Sequence, residues 1–235
     1  MKLYNLCVQG WISALITLLG GSYSLAEAQQ RPWAEAAPIP SAGVACYFVG
    51  RAFLDANGQG QVVGYFTDIN GIGAADSLFK GSPSEKTAFF TFRSNVFSLI
   101  PLPANGDLGL DLVSAGTFDI YYNSTPNGDW TNPDTFSSGQ RVAHFMRPES
   151  LFLQVLQTDS APPPFESISQ HTLTETLVSS QSFSFKSHKY DFSALAPGGI
   201  TLNESFSNSG VQGVTGFPIG LAFAGHCLAV ANEGQ

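Results

Sequence analysis

The chain has 235 residues, a net charge of −8, and 12% charged against 43% hydrophobic residues. An acidic balance without a basic cluster excludes the electrostatic footprint of a nucleic-acid binder or of a protein drawn to anionic membranes. The length suits one domain with a sizeable core, and the 24 Gly and 14 Pro, with many Ser, Thr and Phe, favour short strands and turns over helices.

Residues 1–28 read as a secretory signal peptide. Lys2 supplies the positive start, Trp11 to Leu19 the apolar core, and Ala26-Glu27-Ala28 the cleavage site. That core is shorter than the ~20 apolar residues of a membrane span, and no later stretch is long enough, so no span is expected. Removing Lys2 and Glu27 together leaves the balance at −8. Residues 29–42, with prolines at 32, 38 and 40, read as a flexible leader, and 43–235 as the folded domain. The expected location is secreted or periplasmic. Cys7 leaves with the signal peptide, so Cys46 and Cys227 remain and are expected to form a disulfide. Closing a loop of about 180 residues is worth on the order of 4–5 kcal/mol on the chain-entropy account.

Val44 to Leu54 and Gln61 to Thr67 are β-rich runs separated by Asp55-Ala56-Asn57-Gly58, a hairpin signal because Asn and Gly tolerate positive φ. Gly50 and Gly64 within them suggest bulges or bends. Lys86 to Ile100 reads as one strand, with a turn at Pro101 to Gly106. Further strands are expected at Leu108 to Val113, Thr117 to Tyr122, Arg141 to Arg147, Leu151 to Gln157, His171 to Val178, Gln181 to Lys189, Gly199 to Phe206 and Ile219 to Val230. Thr158 to Ser167, with three consecutive prolines, reads as a connector. No segment has a convincing 3.6-residue period. The sequence therefore predicts an all-β, single-domain antiparallel β-barrel, with a β-sandwich as the alternative. The barrel is preferred because a Cys46–Cys227 bridge would set the first and last strands side by side.

The block Asn123 to Asp134 lies between two strands and is almost wholly turn formers, oxygen ligands and aromatics. Its Asn and Asp residues lack the EF-hand spacing and suit turn chemistry better than calcium, so no metal is expected. Trp130 and Tyr122 with Asn127 and Asp129 form a candidate ligand-binding surface for a carbohydrate or peptide, through stacking beside hydrogen bonds. Strand parity offers a different site. His171, Leu173, Glu175 and Leu177 share one face, Ile200, Leu202, Glu204 and Phe206 another, and Val142, His144 and Met146 a third. If those faces point into a barrel, Glu204, Glu175 and His144 are candidate catalytic groups, because desolvation raises a carboxyl pKa toward the range of a general acid or base.

No cofactor motif is present. The glycines make no G-x-x-x-x-G-K-[ST] loop, and the serines sit in no G-x-S-x-G elbow. Gly128-Asp129-Trp130 matches the lipocalin G-x-W in letters only, since it lies mid-chain in a loop. In architecture alone the pattern resembles small exported barrels such as lipocalin-like and allene oxide cyclase-like proteins, and that resemblance carries no residues. The expected role is non-catalytic binding or structure, with a small apolar molecule or carbohydrate as partner. The alternative is a cyclase or isomerase whose interior Glu transfers a proton within an apolar cavity. An enzyme of that kind needs an interior cavity lined by the carboxylates, whereas a binding module needs an exposed aromatic loop over a filled core.

Overall fold

A computed structural model describes residues 38–73, 78–155, 168–207 and 210–230. The expected signal peptide, most of the leader and the Thr158–Ser167 connector lie outside these residues. Among the described residues, the first hairpin joins β1 (Val44–Leu54) to β2 (Gln59–Ile69). Its turn forms as the Asn-Gly signal requires: Gly58 has φ 75°, and Asp55 Oδ1 accepts from the backbone N–H of Asn57 and of Gln59, both at 2.8 Å.

Three long strand paths follow, and each is broken once. The first is β3 (Phe90–Ser94) continuing into β4 (Phe97–Asn105), and the second is β5 (Leu108–Val113) continuing into β6 (Gly116–Tyr122). The third is β7 (Gln140–Arg147) continuing into β8 (Ser150–Val155). The breaks at 95–96, 114–115 and 148–149 lie side by side. There, side chains supply ladder bonds that the backbone has lost: Asn95 Oδ1 accepts from Thr117 N at 2.7 Å, and Ser114 Oγ from Ser98 N at 3.0 Å. Most of the expected turn at Pro101 to Gly106 is instead the end of β4, and the turn is the two-residue Gly106-Asp107 step between the paired Asn105 and Leu108, with Gly106 at φ 66°. Pro101 and Pro103 are tolerated because β4 pairs with β2 only through Phe97 and Ser98, so its far half is an edge.

The remaining elements are β9 (Ile168–Ser180), a small hairpin of β10 (Phe183–Phe185) and β11 (His188–Tyr190), a one-turn helix Phe192–Leu195, β12 (Ile200–Ser207), β13 (Val211–Val214) and β14 (Phe217–Ala229). The expected strand Gln181 to Lys189 is therefore a hairpin. Its turn residues Lys186 and Ser187 have φ 46° and 68° without being glycine or asparagine, which hid the turn from the sequence.

Each strand path pairs antiparallel with the next one along the chain, and β14 returns to pair with β1. Eight strand paths thus close an up-and-down antiparallel barrel, with the small hairpin and β13 as additions. Closure rules out the sandwich, in which no strand would return to the first. At the closing pair Cys46 faces Cys227 directly, with Cα atoms 5.1 Å apart, and the two form the expected disulfide. A buried disulfide of this kind persists in an oxidising compartment.

Phenylalanine fills the middle of the barrel. Phe92 lies with its ring centroid 5.7 Å from that of Phe48, 5.4 Å from Phe66 and 5.2 Å from Phe118. Gly50 pairs directly with Gly64 in an unbroken stretch of the β1–β2 register, so neither marks a bulge; the shifts fall at Val44/Cys46 and at Tyr47/Phe48. Their role is spatial, because a Cβ at Gly50 or Gly64 would run into the rings of Phe223 and Phe92. The disulfide end is capped. Phe183 and Phe185 pack on Phe90 and Tyr122, while Ile39 donates its backbone N–H to Leu195 O at 3.0 Å and is itself buried. The last residues of the expected leader thus contribute to the core.

Outside the wall, Phe53 and Val63 are covered by Phe136 and Trp130 from the loop after β6, and by Val214 and Phe217. Where β4, β5 and β8 lie together, the row Ile100–Leu112–Leu151 faces outward, with Ile100 and Leu151 exposed. No helix among the described residues is long and apolar enough to cross a membrane.

Candidate functional site

Period-two geometry on β9 and β12 aims one face of each strand into the barrel. Glu204 pairs with His171, Leu202 with Leu173, and Ile200 with Glu175, so the ladder runs inward from the rim to Glu175. All three ionisable residues are buried, and Glu175 is completely so. They line a cavity of about 40 Å³ together with Arg147 and apolar side chains that include Ala52, Val62 and Phe97. At ~10–15 Å³ per water this space holds about three or four waters or a few carbon atoms. Leu54, Leu99 and Leu221, half-buried, also line it. A ligand longer than a few carbons must displace these flexible side chains.

Neither carboxylate oxygen of Glu175 has a hydrogen-bond partner among the described residues. Burial, and then the neighbouring charge of Glu204, push its pKa well above the ordinary carboxyl value, against the opposing pull of Arg147. Glu175 therefore favours its neutral form, a carboxylic acid that can donate a hydrogen bond. Arg147 lies across the cavity from β7. Its Nη2 donates to Ser114 O at 3.3 Å, its guanidinium sits 4.9 Å from the Phe97 ring centre, and its Nε–H has no acceptor among the described residues. Burial lowers its pKa from the usual arginine value, while Glu175 and Glu204 pull it back up.

A hydrogen-bonded chain crosses the cavity wall. Ser150 Oγ lies 2.8 Å from His171 Nε2, and His171 Nδ1 lies 2.9 Å from Glu204 Oε2. The two ring nitrogens thus have different partners, and the carboxylate fixes both the tautomer and the plane of the imidazole. Ser150 pairs with Val113, a cavity-lining residue, so the register puts the serine on the inward face of β8.

His144 is elsewhere. Opposite β6, β7 carries one extra residue, Val142, between Arg141 and Ala143, so Ala143, Phe145 and Arg147 are buried along with Val142 while Met146 is 49% exposed. The expected alignment of Val142, His144 and Met146 on an inward face is therefore corrected. His144 Nδ1 lies 2.6 Å from Asp119 Oδ1 on the outer side of the wall, with Arg141 3.7 Å from the same oxygen. The extra residue at Val142 puts Arg147 on the buried face with Ala143 and Phe145, and no sequence signal marked either event.

Tyr122, Trp130, Asn127 and Asp129 each have packing or loop partners of their own. Tyr122 packs against Phe90 and Phe183. Trp130 is half-buried under the Arg51 guanidinium, 4.6 Å from its ring centre, and 4.8 Å from the Phe136 ring. Asn127 Oδ1 accepts from Asn123 Nδ2 at 3.0 Å and from Ser138 Oγ at 2.7 Å. Asp129 Oδ1 accepts from Thr131 N and Oγ1, and these bonds lower its pKa. The side chains of Asn127 and Asp129 are thus spent on the loop itself, while Asp134 accepts from Arg93 Nη1 of β3 at 2.6 Å. No three His, Cys, Asp or Glu side chains among the described residues are placed to hold a metal ion.

Fold and site together define a class: a disulfide-closed, up-and-down β-barrel with a small apolar interior cavity and an ionisable cluster on one wall. Compared with models of known families, with curated proteins and with solved structures, the chain matches none of them.

Proposed function

We propose that this is an exported barrel whose interior cavity binds a small, mainly apolar molecule carrying one carbonyl or carboxylate group. The observation that carries this reading is Glu175, a fully buried acid with no partner among the described residues, set in an apolar cavity beside Arg147. A buried polar group left unpaired costs about 1–3 kcal/mol, and a ligand oxygen accepting from the neutral Glu175 carboxyl and the Arg147 Nε–H removes that cost. The apolar remainder would lie against Phe97, Leu99 and Leu221.

Hexanal and hexanoic acid are suitable probes, read by thermal melting. Binding to the folded state alone raises the midpoint in proportion to RT ln(1 + [L]/Kd). Both probes are expected to raise it in the native protein, and to lose most of that effect in Ala52→Phe, which fills the cavity, and in Leu99→Trp, which narrows its rim. Equal shifts in native and filled variants would place binding outside the barrel and end the proposal.

The high proton affinity of Glu175 also favours a second reading, proton transfer in a cyclase or isomerase, with Glu175 as donor and Glu204 as the neighbouring acceptor. Glu175→Gln separates the two. Glutamine still donates a hydrogen bond but has no acidic proton, so binding persists and turnover stops.

A further inference from the structure

Building on the cavity as a binding site, we propose that Ser150, at the edge of the cavity, is a nucleophile activated by the cavity-lining His171 and oriented through Glu204, and that the protein cleaves small apolar esters by acyl transfer.

Serine is a poor nucleophile unless a base within hydrogen-bond reach takes its proton, and an imidazole does so only if its other nitrogen is fixed by an acceptor. Both conditions are met at one place: Ser150 Oγ to His171 Nε2 at 2.8 Å, and His171 Nδ1 to Glu204 Oε2 at 2.9 Å. The three residues come from three different strands, β8, β9 and β12. This constellation is recognised by geometry and role rather than by order or local motif, so the lack of a G-x-S-x-G elbow does not bear on it. Ser150 is half-buried rather than enclosed, and its cross-strand neighbour Val113 borders the cavity. The same cavity holds the cationic donor that developing charge on a carbonyl oxygen requires, the Arg147 Nε–H without an acceptor among the described residues.

The step balances without a cofactor. Ser150 Oγ attacks the ester carbonyl carbon and its proton passes to His171 Nε2. The bond to the alcohol oxygen breaks, that oxygen takes the proton from His171, and the acyl group stays on Ser150. Water then repeats the sequence in reverse roles, giving the carboxylic acid and free serine. A cavity of about 40 Å³ favours acyl groups of a few carbons.

Diisopropyl fluorophosphate and p-nitrophenyl butyrate test this on the intact protein. The expected result is a phosphoryl adduct mapped by mass spectrometry to Ser150, with fluoride released, and butyrate ester hydrolysis that falls at least ~100-fold in Ser150→Ala and in His171→Gln. Glu204→Gln should lower the rate of adduct formation while leaving Ser150 as the modified residue. Melting curves of each variant confirm that it is folded. No adduct on Ser150, or an adduct that forms at the native rate in His171→Gln, overturns the nucleophile. If that occurs while hexanal still raises the melting midpoint, the binding site stands and only the acyl-transfer step is lost.

Discussion

Glu175 is the residue at which burial and charge oppose each other most directly. The folded state holds its proton over a range where the unfolded chain, with a carboxyl near the usual 4.5, has released it. The folded state therefore binds more protons there, and stability falls as pH rises from the unfolded value toward the raised one, by about 1.4 kcal/mol per pH unit at its steepest. Glu175→Gln has no proton to lose, so urea midpoints measured from pH 4 to pH 8 should decline less in the variant than in the native protein. Parallel declines would show that the acid is not held neutral. The inward direction of Glu175, Glu204 and His171 was legible from alternation on β9 and β12, because both strands pair without slippage there. His144, Arg147 and Ser150 were not legible. The first two depend on one extra residue in β7, Val142, and Ser150 gains its partner only when β8 swings beside β9.

At the scale of elements, the loop after β6 is a cover for the wall. Its 3-10 turn, Pro133–Ser137, buries Phe136 completely against Phe53 and Val63, and Thr91 Oγ1 donates to Phe136 O at 2.6 Å. Phe136→Ala should cost about 3–5 kcal/mol in chemical denaturation, as a large core truncation does. Asn127→Ala and Asp129→Ala, which lose only bonds within the loop, should cost far less. If the alanine at 136 were as mild as these two, the loop would not be part of the core. The turn chemistry of this block could be read from its Asn, Asp and Pro content, but its docking could not. An aromatic in a polar loop looks the same in sequence whether it packs on an outer wall or faces water. The aligned breaks in three neighbouring strands were hidden for a similar reason: nothing in a stretch such as Ser94-Asn95-Val96-Phe97 says that the residues across the sheet break at the same height.

For the whole molecule, the pairing pattern is local almost everywhere. Each path finds its partner in the next, and the exception is the β1–β14 pair at the ends of the barrel. Replacing Cys46 and Cys227 together with serine should cost about 2–5 kcal/mol, read as a lowered denaturant midpoint with a steeper slope, because the uncrosslinked chain exposes more surface on unfolding. An unchanged midpoint would mean that β1 and β14 hold each other without the bond. The barrel was legible to the extent that two cysteines, one in the first strand and one in the last, implied neighbouring ends. In time rather than in energy, the same arrangement sets an order. Hairpins between adjacent strands close short loops and form early, while β1 meets β14 only after the chain has curled round on itself, the slowest encounter in a topology of otherwise low contact order. Joining of Cys46 and Cys227 by an added disulfide oxidant such as oxidised glutathione must wait for that encounter, so the appearance of the bond during refolding is a clock for the moment when an open, curling sheet becomes a ring.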